Sequence, residues 1–271
     1  MYTQDALWRA APTPWSLVVF QQPLSEIRVE RNVNPIRLST IASFFRPLRD
    51  FVLPPVCLIC GAPLEAGQVR ICPRCWRGMR TVSPDDPLFC AMRGRLTSGG
   101  AIAGVVAEFW FEREGSLQLL IHQLKYEQMT GLGIDLGKRL GLRILSSLDE
   151  KEFAGLVPVP LHKSKLRERG YNQAEFISEG ISSVTGLSVI PSILRRTRYT
   201  QSQTAMNPAE RKANVHGAFA IRQQSLPAVR GKSYILVDDV ITTGATVAAC
   251  ASVLTEAGAA DIVACAAALA A

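Results

Sequence analysis

A chain of 271 residues with 48% hydrophobic side chains can bury one medium domain and a small accessory module, which excludes a wholly disordered protein. Its formal charge of +7 and pI near 9.2 favour anionic partners without establishing nucleic acid, because many phosphate-binding enzymes are mildly basic. No apolar run approaches the length of a membrane span, and the N-terminus lacks a basic stretch leading into an apolar one, so a cytoplasmic protein is expected. In such a reducing compartment the seven cysteines argue for thiols or metal rather than disulfides.

Residues 1–34 carry Pro12, Pro14 and Pro23 and no sustained period, and are expected to be a disordered arm or an over-extended start. Over 35–52, Leu38, Ile41, Phe44, Phe45, Leu48 and Phe51 recur at helical spacing between Arg37, Arg46 and Arg49. The pattern predicts an amphipathic helix that packs on its own protein rather than on a membrane.

Residues 53–98 hold Cys57-Leu-Ile-Cys60-Gly61 and Cys72-Pro-Arg-Cys75. Two CxxC pairs can bring four thiolates onto one tetrahedral ion, and Gly61 supplies the backbone freedom that such a turn needs. A redox dithiol would need one CxxC beside a βαβ unit, so structural Zn²⁺ on Cys57, Cys60, Cys72 and Cys75 is expected. Losing a ligand is expected to destabilise this module while the remaining domain keeps its fold. Cys90 stands alone and reads as a buried or free thiol.

Residues 99–271 alternate strand and helix signals, which predicts a parallel α/β sheet. A strand is expected over Val105–Phe111, a helix capped by Ser116 and ending at Lys125-Tyr126, and a second helix over Leu132–Leu148. His122 has no acid or nucleophile at helical spacing and reads as a surface residue. Leu156–Pro160 predicts a short strand ending in a loop with Lys163, Lys165, Arg167 and Arg169, then a helix to Thr185 stopped by Gly186. Because the basic run sits where a strand exits, contact with pyrophosphate is favoured over a merely solvated face. Leu187–Leu194 predicts another strand. The polar stretch after it, including Arg196, Arg198, Thr200 and Gln203 and a helix through Pro208–Asn214, has the composition of a mobile lid or an ordinary surface loop.

The most informative stretch comes last. Tyr234–Val237 predicts a strand buried on both faces, Asp238 and Asp239 stand at its exposed C-terminal end, and Thr242-Thr243-Gly244-Ala245-Thr246 turns into a helix that Gly258 stops. A small, hydroxyl-rich turn at a helix N-terminus offers backbone N–H groups and the positive end of the dipole to a phosphate. A carboxylate pair beside it can accept hydrogen bonds from two ribose hydroxyls. A plain helix cap would need only one of these side chains. The absence of a Lys-Ser/Thr after the glycine excludes the nucleoside-triphosphate loop, and the absence of any GxGxxG disfavours a dinucleotide.

This stretch resembles the 5-phosphoribosyl-1-pyrophosphate (PRPP) signature of type I phosphoribosyltransferases. The paired CxxC module, Leu124-Lys125-Tyr126, Val157–Pro160, Arg167-x-Arg169-Gly-Tyr-Asn172-Gln173, Arg196-x-Arg198-x-Thr200-x-x-Gln203 and Glu210-Arg211-x-x-Asn214 precede it in order. Over residues 52–271 the set resembles the ComF family, phosphoribosyltransferase-domain proteins of DNA uptake. The resemblance implies a Rossmann-like parallel sheet with an N-terminal zinc finger. It implies that Asp238 and Asp239 hold the ribose and that Thr242 to Thr246 (with Thr243, Gly244 and Ala245) hold the 5-phosphate, with Val240 and Ile241 also among the PRPP-binding residues. Val159, Pro160, Leu161, His162 and Lys163 would form the pyrophosphate loop, with Lys125 among the PRPP-binding residues and Mg²⁺ bound with PRPP. Three functions follow: transfer of phosphoribose to an unknown acceptor, single-stranded DNA binding in DNA uptake without turnover, or PRPP sensing. A competence helicase or other uptake protein is the implied partner. For DNA, Lys163, Lys165, Arg167 and Arg169 with Arg195, Arg196 and Arg198 are expected to form one positive surface.

Overall fold

The computed structural model describes residues 55–148, 152–198 and 217–270. The readings for 1–34, the helix over 35–52, lid residues Thr200 and Gln203 and the helix through Pro208–Asn214 fall outside the described residues.

Four parallel strands form the sheet, in the order β1 (Gly104–Trp110), β6 (Ile262–Leu269), β5 (Tyr234–Ile241), β2 (Leu156–Pro158). Strand β6 reads IVACAAAL and is buried at all eight positions. A continuous apolar run of this kind marks a central parallel strand covered on both faces, and its alanines let helices approach closely. Along β5, Tyr234 and Leu236 face one core while Ile235 and Val237 face the other, as the two-residue alternation of a strand requires.

The first core is completed by α2 (Pro87–Thr97), by α8 (Ala245–Glu256), and by an antiparallel pair, β3 (Leu194–Arg196) with β4 (Phe219–Ile221). The second lies under α3 (Ser116–Tyr126), α4 (Thr130–Ser147) and α6 (Gln173–Thr185). Leu132, Leu136, Leu140 and Ile144 place the apolar stripe of α4 on the sheet. On α4's other contact, Gly137 meets α6 so closely that an added Cβ would lie 2.1 Å from the Ile177 carbonyl oxygen. Asn172 caps α6 by accepting from the Ala174 N–H at 3.3 Å, and Gly186 ends it with φ 74°.

Three expectations need correction. Leu187–Leu194 is not one strand: Val189 bridges Leu156 in parallel and guards the edge of β2, while Leu194 opens β3 in the separate antiparallel pair. The basic run is not a loop but a helix, α5 (Lys163–Arg169), capped by His162 and closed by Gly170 at φ 82°. Ser116 does not cap α3; Gly115 occupies the cap position and Ser116 is the first helical residue.

The cysteine-bearing segment does not sit apart from this sheet. Arg80–Val82 runs antiparallel along the outer edge of β1, through Trp110 N–H to Arg80 O and Val82 N–H to Glu108 O, both 2.9 Å. Cys57, Ile71 and Met79 are buried in the second core with Phe109 and Leu120. Trp76, on α1 (Pro73–Gly78), stacks on Phe109 at 6.0 Å with 18° between the rings, and Arg139 of α4 lies 4.2 Å over its other side. Arg70 pairs with Asp135 of α4 at 2.6 Å. Buried Glu108 holds Arg143 at 3.1 Å and Arg139 at 3.6 Å, so the same helix is anchored to β1.

Candidate active site

The site begins where β2 stops. Its last residue, Pro158, pairs with Val237, and one further bond runs from Val159 N–H to Val237 O at 2.8 Å. Strand β5 continues past this point to Ile241, so Asp238 and Asp239 have a strand neighbour only on the β6 side. The missing neighbour opens a crevice at the carboxyl edge of the sheet, the usual ligand position in open α/β folds. The acids therefore lie within the strand rather than beyond its end.

Alternation sends the two carboxyl groups to opposite faces. Asp239 reaches α3, where Lys125 Nζ lies 2.6 Å from its Oδ2. Asp238 lies on the α8 side, where its charge, after burial, helps to raise the Cys250 thiol well above its usual range. Burial, then the charge of Asp239, pushes Asp238 up to about 8. Burial acts on Asp239 in the same direction, but the Lys125 ammonium overrides it and holds Asp239 below the usual carboxylate range. One acid is thus ionised and paired while the other keeps its proton at neutral pH. Removing Asp239 would strand a half-buried Lys125, so this acid carries a structural cost that Asp238 does not.

After Ile241, Thr242–Gly244 bend the chain into α8, with Thr243 Oγ1 3.4 Å from the Ala245 N–H. Gly244 has φ 79°, and a Cβ there would lie 1.9 Å from Leu96 Cδ2 of α2. Both facts demand glycine. Gly244→Ala is expected to cost about 1–3 kcal/mol in stability and to distort the turn that opens α8. Thermal melts check this, and an unchanged melting temperature would refute the packing argument.

Asp238, Asp239, Val240, Thr242, Thr243 and Thr246 open onto one cleft of about 990 Å³, large enough for a nucleotide-sized ligand. Val159, Pro160 and Leu161 line it beside them, and Asn172 Nδ2 donates to Val159 O at 3.1 Å, tying that loop to α6. His162 is occupied at the α5 cap, accepting from the Ser164 N–H at 3.2 Å, and Lys163 is exposed. The helical turn of α5 divides the basic run. Lys165 and Arg169 line the cleft, whereas exposed Lys163 and Arg167 do not, so the run is not one surface. Arg196 lines the cleft; Arg195 and Arg198 are exposed. Sequence reasoning missed Arg95, Phe111, Arg113 and Gln118, which come from α2 and from the β1–α3 segment. No motif marked them; only the sheet order brings their segments to the crevice.

The four cysteines converge as expected: the sulfurs of Cys57, Cys60, Cys72 and Cys75 all lie within 4.8 Å of one another. Cys60 and Cys72 are 3.9 Å apart, close to the roughly 3.8 Å edge of a tetrahedral zinc–thiolate site. The donor set fits zinc, and with Cys90, Cys250 and Cys265 the only other cysteines, the chain can build one such four-cysteine site. Cys90 is an exposed free thiol, and His122 is exposed beside Glu127 and Tyr126, a surface residue as expected.

Comparison with known proteins agrees with this assembly. The double zinc ribbon domain family matches residues 48–107 and the phosphoribosyl transferase domain family matches 169–271. DNA utilization protein YhgH of Escherichia coli K12 is 30% identical over 230 residues, covering 78% of this chain and 95% of that protein. Competence protein F of Haemophilus influenzae is 28% identical over 151 residues, 54% of this chain and 65% of that one. Competence protein ComFC of Streptococcus pneumoniae is 23% identical over 214 residues, 76% and 84% of the two chains. A solved allosteric regulatory enzyme of purine biosynthesis is 25% identical with a TM-score of 0.32, over 50% of this chain and 25% of its own. Parallel sheet, acid pair, threonine turn and zinc ribbon define a phosphoribosyltransferase-type domain carrying a zinc module. The chain belongs to the ComF family of competence and DNA-utilization proteins.

Proposed function

We propose that this protein binds PRPP with Mg²⁺ and transfers its phosphoribosyl group to an acceptor, in the service of DNA uptake or the use of external DNA. One observation carries the reading: β5 overruns β2 and presents Asp238 and Asp239 at a crevice that Thr242–Thr246 closes on one side and Val159–Leu161 on the other. The turn at the N-terminus of α8 suits the 5-phosphate, the acids suit the ribose hydroxyls, and the loop after β2 suits the pyrophosphate. Lys165, Arg169 and Arg196 place positive charge along the cleft for the same oxyanions. Asp238, its carboxyl raised by burial and by the charge of Asp239, suits a site whose ligand arrives with a cation; Mg²⁺ bound with PRPP would lie by this acid pair and neutralise pyrophosphate charge. As positive charge develops at C1 of the ribose, the carboxylate of Asp239 stabilises it through space. No described helix is long and apolar enough to cross a membrane. Within this reading residues 53–98 form the zinc module and 99–271 the transferase domain.

Calorimetry with PRPP, with and without Mg²⁺, followed by pyrophosphate release, tests the proposal; micromolar binding that requires Mg²⁺ is expected, and none in either condition refutes it. The exposed pair Lys163 and Arg167, with Arg195 and Arg198, supports a second reading in which single-stranded DNA phosphates bind outside the cleft. In a labelled-oligonucleotide titration that reading requires steep salt dependence without competition by PRPP. Competition would move DNA into the cleft.

A further inference from the structure

The cleft extends well beyond what PRPP would fill, and the sheet order says in which direction. The loop after β2 lies on one side of Asp238 and Asp239; the ends of β6 and β1 lie on the other. Phe111, Arg113, Glu114 and Gln118, which follow β1, line the cleft from this side, and Arg95 of α2 lines it too. In an in-line displacement at C1 the incoming atom approaches opposite the leaving group. If pyrophosphate leaves toward the β2 loop, the acceptor enters from the β1–β6 end.

The charges there differ from those at the pyrophosphate end. Lys125 is held by Asp239 at 2.6 Å and Lys165 by Glu168 at 2.8 Å, while Arg169 lies 5.3 Å over the Tyr126 ring. Arg95 and Arg113 form no ion pair among the described residues. Phe111, half-buried against the second core, adds an apolar surface to the cleft wall. Glu114 holds a left-handed φ of 61°, and its N–H donates to Gln118 Oε1 at 2.6 Å, so the turn carrying these groups is fixed by its own side chain. Backbone strain kept in place by neighbouring groups is a feature of ligand sites. Two guanidinium forks, one carboxylate and one aromatic face suit a planar ring that bears both an anion and an N–H.

Resting on the phosphoribosyl-transfer reading, we infer that the acceptor binds at the β1–β6 end of the cleft and is a nitrogen heteroaromatic carrying a carboxylate, selected by Arg113 and Arg95. The ring nitrogen lone pair forms the bond to C1 and the C1–oxygen bond to pyrophosphate breaks, with both electrons leaving on pyrophosphate. Where the reacting nitrogen carries a hydrogen, as in orotate, that proton passes to water; a pyridine nitrogen, as in nicotinate, has none and keeps the positive charge as a pyridinium.

The experiment uses the full zinc-bound chain loaded with PRPP and Mg²⁺. It measures binding and pyrophosphate release with matched probes: orotate against uracil, nicotinate against nicotinamide, and the purine bases. At least one carboxylate is expected to bind at least tenfold more tightly than its uncharged partner and than any purine. Arg113→Ala and Arg95→Ala are each expected to weaken that acceptor at least tenfold while PRPP affinity stays within twofold, with Arg113→Lys recovering part of the loss. A preference for uncharged bases, no binding by either carboxylate, or arginine variants that bind as the unaltered protein does would each overturn the assignment while leaving the PRPP site standing. Loss of PRPP binding in the unaltered protein would instead end the underlying reading and this one with it.

Discussion

Asp238→Asn is expected to weaken PRPP binding by about 10- to 150-fold, the loss of roughly 1.5–3 kcal/mol from one hydrogen bond to the carboxylate that Mg²⁺ arriving with PRPP would ionise, without lowering stability near neutral pH. The pH dependence separates this from a general defect. Burial and Asp239 keep the Asp238 proton in the folded protein up to about pH 8, whereas an unfolded aspartate releases it near 4. Between these values the folded state binds more protons than the unfolded state, so this group makes stability fall as pH rises from about 4 to about 8. Asparagine removes that slope. The variant is therefore expected to gain melting temperature relative to the native protein at pH 8 and to gain less at pH 5. Equal differences at both pH values would refute a buried, protonated Asp238, and unchanged PRPP affinity would remove it from the ribose site. Asp239→Asn behaves differently because it strands Lys125; a stability loss of about 1–3 kcal/mol is expected, discounted for the partial exposure of the lysine.

Cys57→Ser is expected to release zinc and to destabilise all of the domain that shares the second core, not the zinc module alone. Cys57 is buried with Ile71 and Met79 against Phe109 and Leu120, and α4 is tied to the module by Arg70–Asp135 and by Arg139 over Trp76. Loss of a structural metal belongs with the largest single-substitution effects, about 4 kcal/mol or more. For a domain of this size that lowers the melting temperature by roughly 10 °C or more. Metal analysis with calorimetric melting checks it. Two separate transitions, the later one unchanged from the native protein, would show the module to be independent after all.

The sequence alone determined much of what local pattern carries. The continuous apolar run of β5, the helical period over Leu132–Leu148, the Gly186 end of α6, and the two CxxC pairs are readable because strand burial, helix period, capping and tetrahedral ligation each demand particular residues at short separations. The acid pair and threonine turn belong to the same class: a strand end, a hydroxyl-rich turn and a helix start within thirteen residues. The same local logic misread the basic run, because four cations within seven residues look alike on a loop and on a helix, and only the turn of α5 parts Lys165 and Arg169 from Lys163 and Arg167. Only the tertiary structure decided which distant segments meet. Lys125 and Asp239 lie over a hundred residues apart and become partners because β5 overruns β2 beneath the end of α3. Arg95 and Arg113 reach the crevice because β1 lies beyond β6 in the sheet, and the zinc module shares a core with the transferase fold because Arg80–Val82 binds the open edge of β1. Strand order and core sharing are set by summed burial over many residues far apart in the chain, and no short motif records that sum.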